Sequence, residues 1–307
     1  MRAVVITAPG DLDVLKVADR PVREPGNEEV RIAVKAAAVN PTDIGLRQRG
    51  GAGDPPWVPG MDAAGTVESV GSGVHRLHEG EEVMAVVSPR RPDGGAQAEM
   101  IVVPAASVVR IPDGVTPQQA ATLPMNGLTS LRGLEMLALQ SGRTLAVSGG
   151  AGLLGSYVIA LGREHGLRVI ADAKPEDEDL VRSFGADVVV PRGERFNDAV
   201  RAEAPGGVDA LYDTAILGRA AFPAIRDGGG MVAVRGWQGE TERGIVVHAV
   251  RVAQVLERTD WLEKLREVAS DGRIKLRVVR EYPPEEAAAA QHLMDAGGLR
   301  GRAVIVF

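Results

Sequence analysis

A glycine-rich segment in the middle of the chain carries the clearest chemical signal. The segment TLAVSGGAGLLGSYVIAL runs from an apolar strand into Gly150-Ala151-Gly152-Leu153-Leu154-Gly155 and then directly into a helical pattern. We expect Gly150 to permit the tight turn, Gly152 to let the backbone approach a pyrophosphate, and Gly155 to allow close packing of helix on strand. The helix N-terminus then offers N–H groups and a partial positive charge to phosphates. The pattern predicts a dinucleotide-binding loop.

The end of the following strand bears on the choice between NADH and NADPH. An acidic residue there binds the ribose hydroxyls, whereas a cation favours a 2′-phosphate. The strand covers 168–173 and is followed by Lys174, with Asp172 just before its last residue. Because neighbouring strand residues face opposite sides, only one of Asp172 and Ala173 points at the cofactor. We favour Ala173, with Lys174 reaching over it, and therefore NADPH; Asp172 on the ribose, and NADH, is the alternative.

Strands and helices alternate around this loop. The periodicity predicts strands at 144–148, 168–173, 187–190, 208–212 and 231–235, with helices at 153–165, 176–184, 195–203 and 219–226. This alternation is typical of a parallel sheet covered on both faces, a doubly wound α/β fold. Thr214 follows the fourth strand and Gly236 the fifth, so we expect both at the carboxyl edge of the sheet, where ligands bind.

The first third of the chain has a different pattern, and the last part returns to it. Short β-branched runs separated by turn residues predict a compact, mostly antiparallel β unit or barrel: MRAVVIT, EVRIAVKAAAV, AGTVESV, EEVMAVV and AEMIVVP. A helical pattern follows from Pro117 to Leu139. After a helix that opens near Val250, a strand, an Ala-rich helix from Pro284 to Asp295 and a final strand indicate a return to the first domain. The predicted domains are 1–116, 117–260 and 261–307.

Composition excludes several classes of function. The net charge of −6 and pI near 5.5 argue against binding to nucleic acid or to an anionic membrane. There is no apolar run of about 18 residues and no signal-peptide pattern, so we expect a cytoplasmic protein. The chain has no cysteine, which excludes disulfides, thiol nucleophiles and thiolate metal ligands.

Several ordered motifs together resemble one family. They are Val39-Asn40-Pro41-Thr42-Asp43, Val58-Pro59-Gly60-Met61-Asp62-Ala63-Ala64-Gly65, Val70-Gly71-Ser72-Gly73, Ala120-Ala121-Thr122-Leu123-Pro124, Gly127-Leu128-Thr129, Phe184-Gly185-Ala186-Asp187 and Gly228-Gly229-Gly230. With the glycine loop, they make the chain similar to the medium-chain dehydrogenase/reductase superfamily, and within it to the zinc-independent quinone oxidoreductases. The resemblance implies a GroES-like β-barrel-type catalytic domain and a Rossmann nucleotide-binding domain.

The resemblance also implies a reaction. Zinc enzymes of the superfamily hold the metal with a cysteine and a His-Glu pair, and the matching positions here are Asn40 and Met61-Asp62. Without a Lewis acid, a simple carbonyl is hard to polarise, whereas a quinone or an α,β-unsaturated carbonyl takes up hydride as a delocalised anion. We therefore predict an NADPH-dependent, zinc-free reductase of quinones or enones. Hydride would pass from C4 of NADPH, and water would supply the proton.

Asn40, Asp43 and Thr129 are the catalytic candidates that the resemblance suggests. Asn40 would donate a hydrogen bond to the substrate oxygen, Asp43 would orient its neighbours, and the Thr129 hydroxyl would lie beside the nicotinamide. The alternative is a turn around Pro41 capped by Asn40 and Asp43, and an ordinary helical threonine. A tyrosine common in the family a few residues after the asparagine is absent here. Arg47 and Arg49 are either at the mouth of the cleft or simply in solvent.

Rival functions and a quaternary state complete the predictions. One rival is an enoyl-thioester or alkenal reductase on the same scaffold; the other is a non-catalytic NADPH-binding sensor. The segment Gly244–His248 has the composition of an edge strand. Because relatives dimerise through the edge of this sheet, we predict a homodimer.

Overall fold

The β-strands coincide with the β-branched segments of the chain. The computed structural model describes residues 1–307. Its strands are β1 (Arg2–Ile6), β2 (Leu15–Asp19), β3 (Glu29–Ala38), β4 (Asp62–Val70), β5 (Glu82–Val86), β6 (Met100–Pro104), β7 (Val108–Arg110), β8 (Thr144–Ser148), β9 (Arg168–Ala173), β10 (Val188–Pro191), β11 (Val208–Asp213), β12 (Ile225–Ala233), β13 (Val246–Ala249), β14 (Val278–Tyr282) and β15 (Arg302–Val306). Val, Ile and Thr suit the pleated, half-buried surface that these strands provide.

Three of the α-helices begin at a proline. The α-helices are α1 (Pro41–Arg49), α2 (Pro117–Ala120), α3 (Pro124–Leu137), α4 (Leu153–Glu164), α5 (Glu178–Ser183), α6 (Phe196–Glu203), α7 (Thr259–Ser270) and α8 (Ala287–Ala296). Proline opens α1, α2 and α3, since its fixed φ and missing N–H suit the first helical position. No helix has both the length and the apolar content needed to cross a bilayer.

The chain divides into two compact units. Unit 1 comprises Met1–Met125, Val255–Asp271 and Leu276–Phe307, and unit 2 comprises Asn126–Gln254 and Gly272–Lys275. The domain limits given above, at 116 and 260, remain a prediction about functional domains.

Unit 2 is built on a six-stranded parallel sheet. The strand order is β10-β9-β8-β11-β12-β13, so β8 and β11 are neighbours although β9 and β10 lie between them in sequence. Both strands are apolar and fully buried at Leu145, Val147 and Leu211, as expected for a sheet covered on both faces. The predicted doubly wound fold is confirmed. Its switch point lies between β8 and β11, where such sheets bind ligands.

Unit 1 is built on a seven-stranded sheet. Its order is β14-β15-β3-β4-β5-β7, with β6 also pairing with β3. The long β3 pairs antiparallel with β4, β6 and β15, while β14 and β15 are parallel. The prediction of a mostly antiparallel β unit is confirmed. The pairing of β15 with β3 carries Arg302, at the start of β15, to the end of β3 and the adjoining Asn40.

Two predicted helices were wrong in detail. The pattern over Pro117–Leu139 is two helices, α2 and α3, because Pro124 disfavours a helical conformation at the residue before it. The segment predicted as a helix over Arg219–Arg226 is a 3₁₀ turn at Gly218–Ala224 followed by β12. Pro223 within that segment prevents a regular α-helix. Three elements were also missed: α1, β2 and β7.

Arg47 is neither at a cleft mouth nor in solvent, which corrects the expectation for it. Its side chain is 1% exposed, and its guanidinium donates to Gln291 Oε1 at 2.9 Å, Asp11 Oδ1 at 3.0 Å and Asp295 Oδ2 at 2.9 Å. Gln291 and Asp295 belong to α8, so one buried cation fastens α1 to α8. Arg suits this position because its planar fork satisfies several acceptors at once.

Removing the charge of Arg47 and removing the charges of its two aspartate partners should change the free energy of unfolding by different amounts. In the double variant Asp11→Asn/Asp295→Asn, the Arg47 charge stays buried and loses two counter-charges that are themselves exposed to solvent, so we expect a loss of about 1–3 kcal/mol in the free energy of unfolding. Arg47→Met removes the charge and leaves the carboxylates to water, and should cost less. Urea denaturation measures both, with the exposed Asp13→Asn as control. A larger loss in Arg47→Met than in the double variant would contradict this account.

Candidate active site

The Asn40 side chain is fixed at both ends inside unit 1. It is fully buried and precedes α1 as its N-cap. Its Oδ1 accepts from Nε of Arg302 at 2.8 Å, and its Nδ2 donates to Oδ2 of Asp62 at 2.7 Å. Since a guanidinium can only donate, Arg302 fixes which end of the amide is oxygen. The N–H donors of Asn40 therefore face the Asp62 side.

Asp43 connects α1 to the segment before β4. Its Oδ2 accepts from the backbone N–H of Asn40 at 2.8 Å, and its Oδ1 accepts from Gly60 N–H at 2.8 Å. Gln97 Nε2 lies 3.4 Å from Oδ2. Gly60 has φ +104°, and a Cβ there would meet the backbone nitrogen of Gln97 at 2.8 Å. Asp43 therefore fixes the backbone of Asn40 and Gly60, and it caps the start of α1.

Asp62 is a member of this network that sequence reasoning named only as a position unable to hold zinc. Besides Asn40, it accepts a hydrogen bond from the backbone N–H of Met125 at 2.6 Å. Burial raises the pKa of Asp62 to about 7, against the lowering effect of its two hydrogen-bond donors. The charge of Asp43 also raises it, and that of Arg302 lowers it. The pattern Met-Asp offered no signal of this network, because its members are far apart in sequence.

The network contains more carboxylate than cation. Burial likewise raises the pKa of Asp43 to about 6, while its backbone donors and Arg302 lower it. Asp43 and Asp62 thus share one buried guanidinium. The charge of this network therefore changes as the pH rises toward neutrality, in the range where enzymes work.

Three glycines of the loop in unit 2 lie close to other atoms of the chain: Gly149 to the Thr214 hydroxyl, and Gly150 and Gly155 to backbone oxygens. Gly149 has φ +76°, so the tight turn falls on Gly149 and not on Gly150 as expected. A Cβ on Gly150 would meet the Asp172 carbonyl oxygen at 2.8 Å. One on Gly155 would meet the Gly149 carbonyl oxygen at 2.2 Å, so Gly155 allows the close packing that was predicted. Side chains are excluded from all three positions by the chain itself.

Gly152 differs from these because its missing side chain leaves space. It is the N-cap of α4. Apart from its neighbours along the chain, a Cβ there would have only the Gly149 carbonyl oxygen within 4 Å, at 3.2 Å. Ala151 and Leu153 are buried, with 6% and 1% of their surface exposed, and Leu154 is intermediate. The loop thus presents backbone, rather than side chain, at the start of a twelve-residue helix. This is the geometry that cradles a pyrophosphate.

Asp172 supports the glycine loop from below. Its Oδ1 accepts from the N–H groups of Gly149 at 2.6 Å and Gly150 at 3.0 Å. The residue is 2% exposed, and burial raises the pKa of its carboxyl while the two N–H donors and Arg192 lower it. Because the carboxylate accepts hydrogen bonds from the backbone of the glycine loop, it is poorly placed to bind a ribose.

A cation follows the strand that carries Asp172, and another follows the neighbouring strand β10. Ala173 is buried, with 2% of its surface exposed, and Lys174 after it is exposed, its Nζ 3.9 Å from Glu176. Arg192 follows β10, and its backbone N–H donates to the Ala173 carbonyl at 2.9 Å. Sequence reasoning missed Arg192, although a signal existed: the third strand of such a sheet ends beside the second.

The loop that follows β11, on the other side of the switch point, is held by several hydrogen bonds. Thr214 Oγ1 donates to the Ser148 carbonyl at 2.5 Å. Asp213 accepts from Ser148 Oγ at 2.7 Å, from Leu217 N–H at 3.0 Å and from Gly218 N–H at 2.8 Å. The ends of β8 and β11 are therefore held in register at the carboxyl edge, where Thr214 was expected.

Ile216, in this loop, has an unusual backbone conformation. Its φ is +61°, which is an outlier for a β-branched residue, and its side chain is 51% exposed. Such a conformation costs about 1–3 kcal/mol and persists only where the surroundings impose it. The hydrogen bonds of Asp213 impose it here, and they present an apolar side chain at the ligand edge of the sheet.

The structure places the remaining candidates within unit 2. Thr129 lies on α3, is 7% exposed, and its carbonyl accepts from the Tyr212 hydroxyl at 2.6 Å. Gly236, with φ +84°, follows β12 at the same carboxyl edge as Thr214. Asn40 and Asp43 belong to unit 1, so the predicted residues fall into two groups, each ordered by its own unit.

Comparisons with known proteins identify the family of the chain. The family model described as "Alcohol dehydrogenase GroES-like domain" matches residues 26–113, and the one described as "Zinc-binding dehydrogenase" matches residues 184–305. The NADPH-dependent alkenal/one oxidoreductase of Arabidopsis thaliana is 32% identical over 318 residues, covering 99% of this chain and 79% of that protein. The chain belongs to the medium-chain dehydrogenase/reductase superfamily, in its quinone oxidoreductase-like branch.

Other members of the superfamily cover the full length. The quinone oxidoreductase of Rattus norvegicus is 28% identical over 325 residues, covering 100% of this chain and 98% of that protein. A mycobacterial protein solved in complex with NADPH superposes with a TM-score of 0.85 at 27% identity, covering 100% of both chains. The predicted combination of a GroES-like domain with a Rossmann-type sheet is thereby confirmed.

Zinc, which one family description implies, does not fit the side chains of this quinone oxidoreductase-like protein. At the corresponding positions, the Asn40 amide is bonded at both ends, and the Arg302 guanidinium lies 2.8 Å from its oxygen. That cation opposes a second one at the same place. No group of three or more His, Cys, Asp or Glu side chains is arranged to hold a metal ion.

Asp62 should make the stability of unit 1 pH-dependent. Its native pKa of about 7 exceeds its ordinary value of 3.8, so between these values the native state binds more protons than the unfolded chain. The free energy of unfolding should therefore fall as pH rises through this window and level off above about pH 7. Thermal midpoints of wild type and Asp62→Asn from about pH 5 to about pH 8 measure it. The variant should lose this component of the slope, and Asp13→Asn should keep it. An identical slope in Asp62→Asn would mean that Asp62 is ionised throughout.

Proposed function

We propose that the protein is an NADPH-dependent reductase that adds hydride to a quinone or an α,β-unsaturated carbonyl compound. The observation that carries the proposal is the open backbone cradle at Gly152, at the switch point of a parallel sheet, with Lys174 and Arg192 at the ends of the adjoining strands. The names of the relatives support the same class of reaction. Cytoplasmic location stays a prediction from the sequence.

The cofactor fits the residues of unit 2. When bound, NADPH supplies the hydride. The backbone of Gly150, Ala151, Gly152, Leu153 and Leu154 would receive its pyrophosphate at the N-terminus of α4, where N–H groups and the helix dipole favour an anion. Thr214 and Gly236 border the same edge further along the sheet.

NADPH is favoured over NADH by the distribution of charge. The Asp172 carboxylate, which would select a ribose diol, is occupied by the N–H groups of Gly149 and Gly150. Lys174 and Arg192 are both exposed and flank the end of β9, where the adenosine ribose binds in such sheets. Two cations there complement a 2′-phosphate.

Asn40 is the candidate donor to the substrate oxygen. Arg302 holds its Oδ1, so its Nδ2 is the end that can donate, and Asp62 orients that end. Asp43 fixes the backbone of Asn40 and acts as a positioning residue. The Thr129 hydroxyl is the candidate group beside the nicotinamide. These roles let positioning, which contributes about 7–11 kcal/mol in favourable cases, account for much of the catalysis.

The substrate class follows from what unit 1 offers the carbonyl group. Its candidate donor is the Asn40 amide, which polarises an isolated ketone less strongly than a Lewis acid does. Hydride addition to a quinone or an enone gives a delocalised anion that needs less stabilisation. Water would supply the proton.

Turnover measurements test this function directly. The loss of NADPH absorbance is followed with a panel of quinones, enones and enoyl thioesters, with NADH, and with a chelator. We expect NADPH-dependent turnover that survives chelation. Lys174→Ala and Arg192→Ala should each raise KM for NADPH roughly tenfold and leave KM for NADH nearly unchanged, since each removes a charge-assisted hydrogen bond. The exposed Lys16→Ala is the control. Binding of NADPH without turnover of any substrate would favour the sensor alternative, and a preference for NADH would reverse the cofactor assignment.

We infer a homodimer formed through β13. This strand is the edge of the six-stranded sheet, and Val246 on it is an apolar side chain with 54% of its surface exposed. An exposed strand edge pairs readily with a second copy. Light scattering after gel filtration should give a dimer for wild type and a monomer for Val246→Lys, with the exposed Val22→Lys as control. A monomeric wild type would contradict the inference.

A further inference from the structure

Two loops of unit 1 and Arg20 line a cavity that the proposed reaction does not use. The loops are 52–58, after α1, and 89–94, after β5. The cavity volume is about 360 Å³, within the range of about 300–1,000 Å³ for sites that hold small molecules.

The cavity has an excess of cationic side chains. Arg20, Arg90 and Arg91 line it, together with Asp54 and Asp93. Asp93 is neutralised by Arg23, whose Nη2 lies 2.8 Å from its Oδ2. Arg91 is paired with Glu29 at 2.8 Å.

The charges that remain are two guanidinium groups and one carboxylate. Neither Arg20 nor Arg90 has a carboxylate within 4.0 Å. Nε of Arg91 is buried and has no surface open to solvent, so Arg20 and Arg90 are the groups that can meet an anion in the cavity.

One wall of the cavity is apolar and rigid. The Trp57 indole Nε1 donates to the carbonyls of Ala52 at 3.1 Å and Gly53 at 3.2 Å, which fixes the ring against its own loop. Val58, Pro56, Pro89 and Pro92 also line the cavity. A fixed aromatic wall favours a flat apolar group, and it loses little conformational freedom when one binds.

The cavity is joined to the Asn40 network by short backbone links. Gly95 N–H donates to the Val58 carbonyl at 2.8 Å, and Gln97 N–H donates to the Pro59 carbonyl at 2.9 Å. Gly60, the next residue, donates to Asp43. The same paired segments therefore hold the cavity wall and the helix cap, which gives the cavity a defined shape.

We propose that this cavity binds a phosphate monoester carried on a flat apolar body. Arg20 and Arg90 bind the phosphate, whose oxygens can accept from several guanidinium donors. Trp57 and the prolines hold the flat body. The site is separate from the dinucleotide loop, and binding there does not depend on the proposed reaction.

Calorimetric titration with 2-naphthyl phosphate tests the site. We expect saturable one-to-one binding to wild type, and binding of the neutral 2-naphthol at least roughly tenfold weaker, since the arginines contribute only to the anion. Arg20→Ala/Arg90→Ala should weaken binding of the phosphate about tenfold and leave binding of 2-naphthol unchanged. Trp57→Leu should weaken binding of both.

Matched variants separate a specific site from general charge. Arg110→Ala/Arg195→Ala removes two exposed arginines outside the cavity, so binding of 2-naphthyl phosphate should stay at the wild-type level. Equal weakening in both double variants, or wild-type binding by Arg20→Ala/Arg90→Ala, overturns the proposal, as does the absence of saturable binding to wild type. NADPH turnover of every variant is measured in parallel. Absence of saturable phosphate binding to a wild-type protein that turns over NADPH normally refutes this inference and leaves the proposed function untouched.

Discussion

The sharing of one buried guanidinium by two buried carboxylates is the constraint on which unit 1 depends. Arg302 comes from β15, Asn40 from the start of α1, Asp62 from the start of β4, and Met125 from α3. Each contributes a group that would be costly to bury alone. The final strand must therefore return to β3, since without Arg302 the carboxylates of Asp43 and Asp62 would have no cation near them. The same cluster fixes the amide orientation of Asn40, so the stability of the fold and the direction of its candidate donor have one origin.

Much of the architecture was predictable because it depends on local periodicity. Apolar runs of strand length alternating with helices predicted the parallel sheet, and the glycine spacing predicted the loop at its switch point. The 3₁₀ turn at Gly218–Ala224 was not predictable in this way, since its alanines suit a helix and Pro223 decides against it. The burial of Arg47 was equally hidden: its partners Gln291 and Asp295 lie on α8, at the far end of the sequence. Periodicity predicts helices and strands, but it does not predict which polar residues pair across long distances in the sequence.

Residue type was an unreliable guide to role at the dinucleotide loop. Asp172 stands where an acid binds ribose, yet its Oδ1 accepts two hydrogen bonds from the loop backbone. The physical reason is proximity: the tight turn at Gly149 directs N–H groups at the strand end, and a buried carboxylate is stabilised by such donors. The preference for Lys174 over Asp172 is thus supported by a hydrogen-bond pattern that strand alternation could not reveal.

The acids around the cradle also explain how an anion site tolerates negative charge. Asp172 lies under the glycine loop and Asp213 under the loop after β11, and each is buried with 2% of its surface exposed. Their carboxylates are directed at backbone N–H groups and the Ser148 hydroxyl, so much of their field is compensated locally. What remains toward the ligand edge is the N-terminus of α4 together with Lys174 and Arg192. The buried acids hold the glycine loop rigid, and under the proposed function the exposed cations would supply its preference for phosphate.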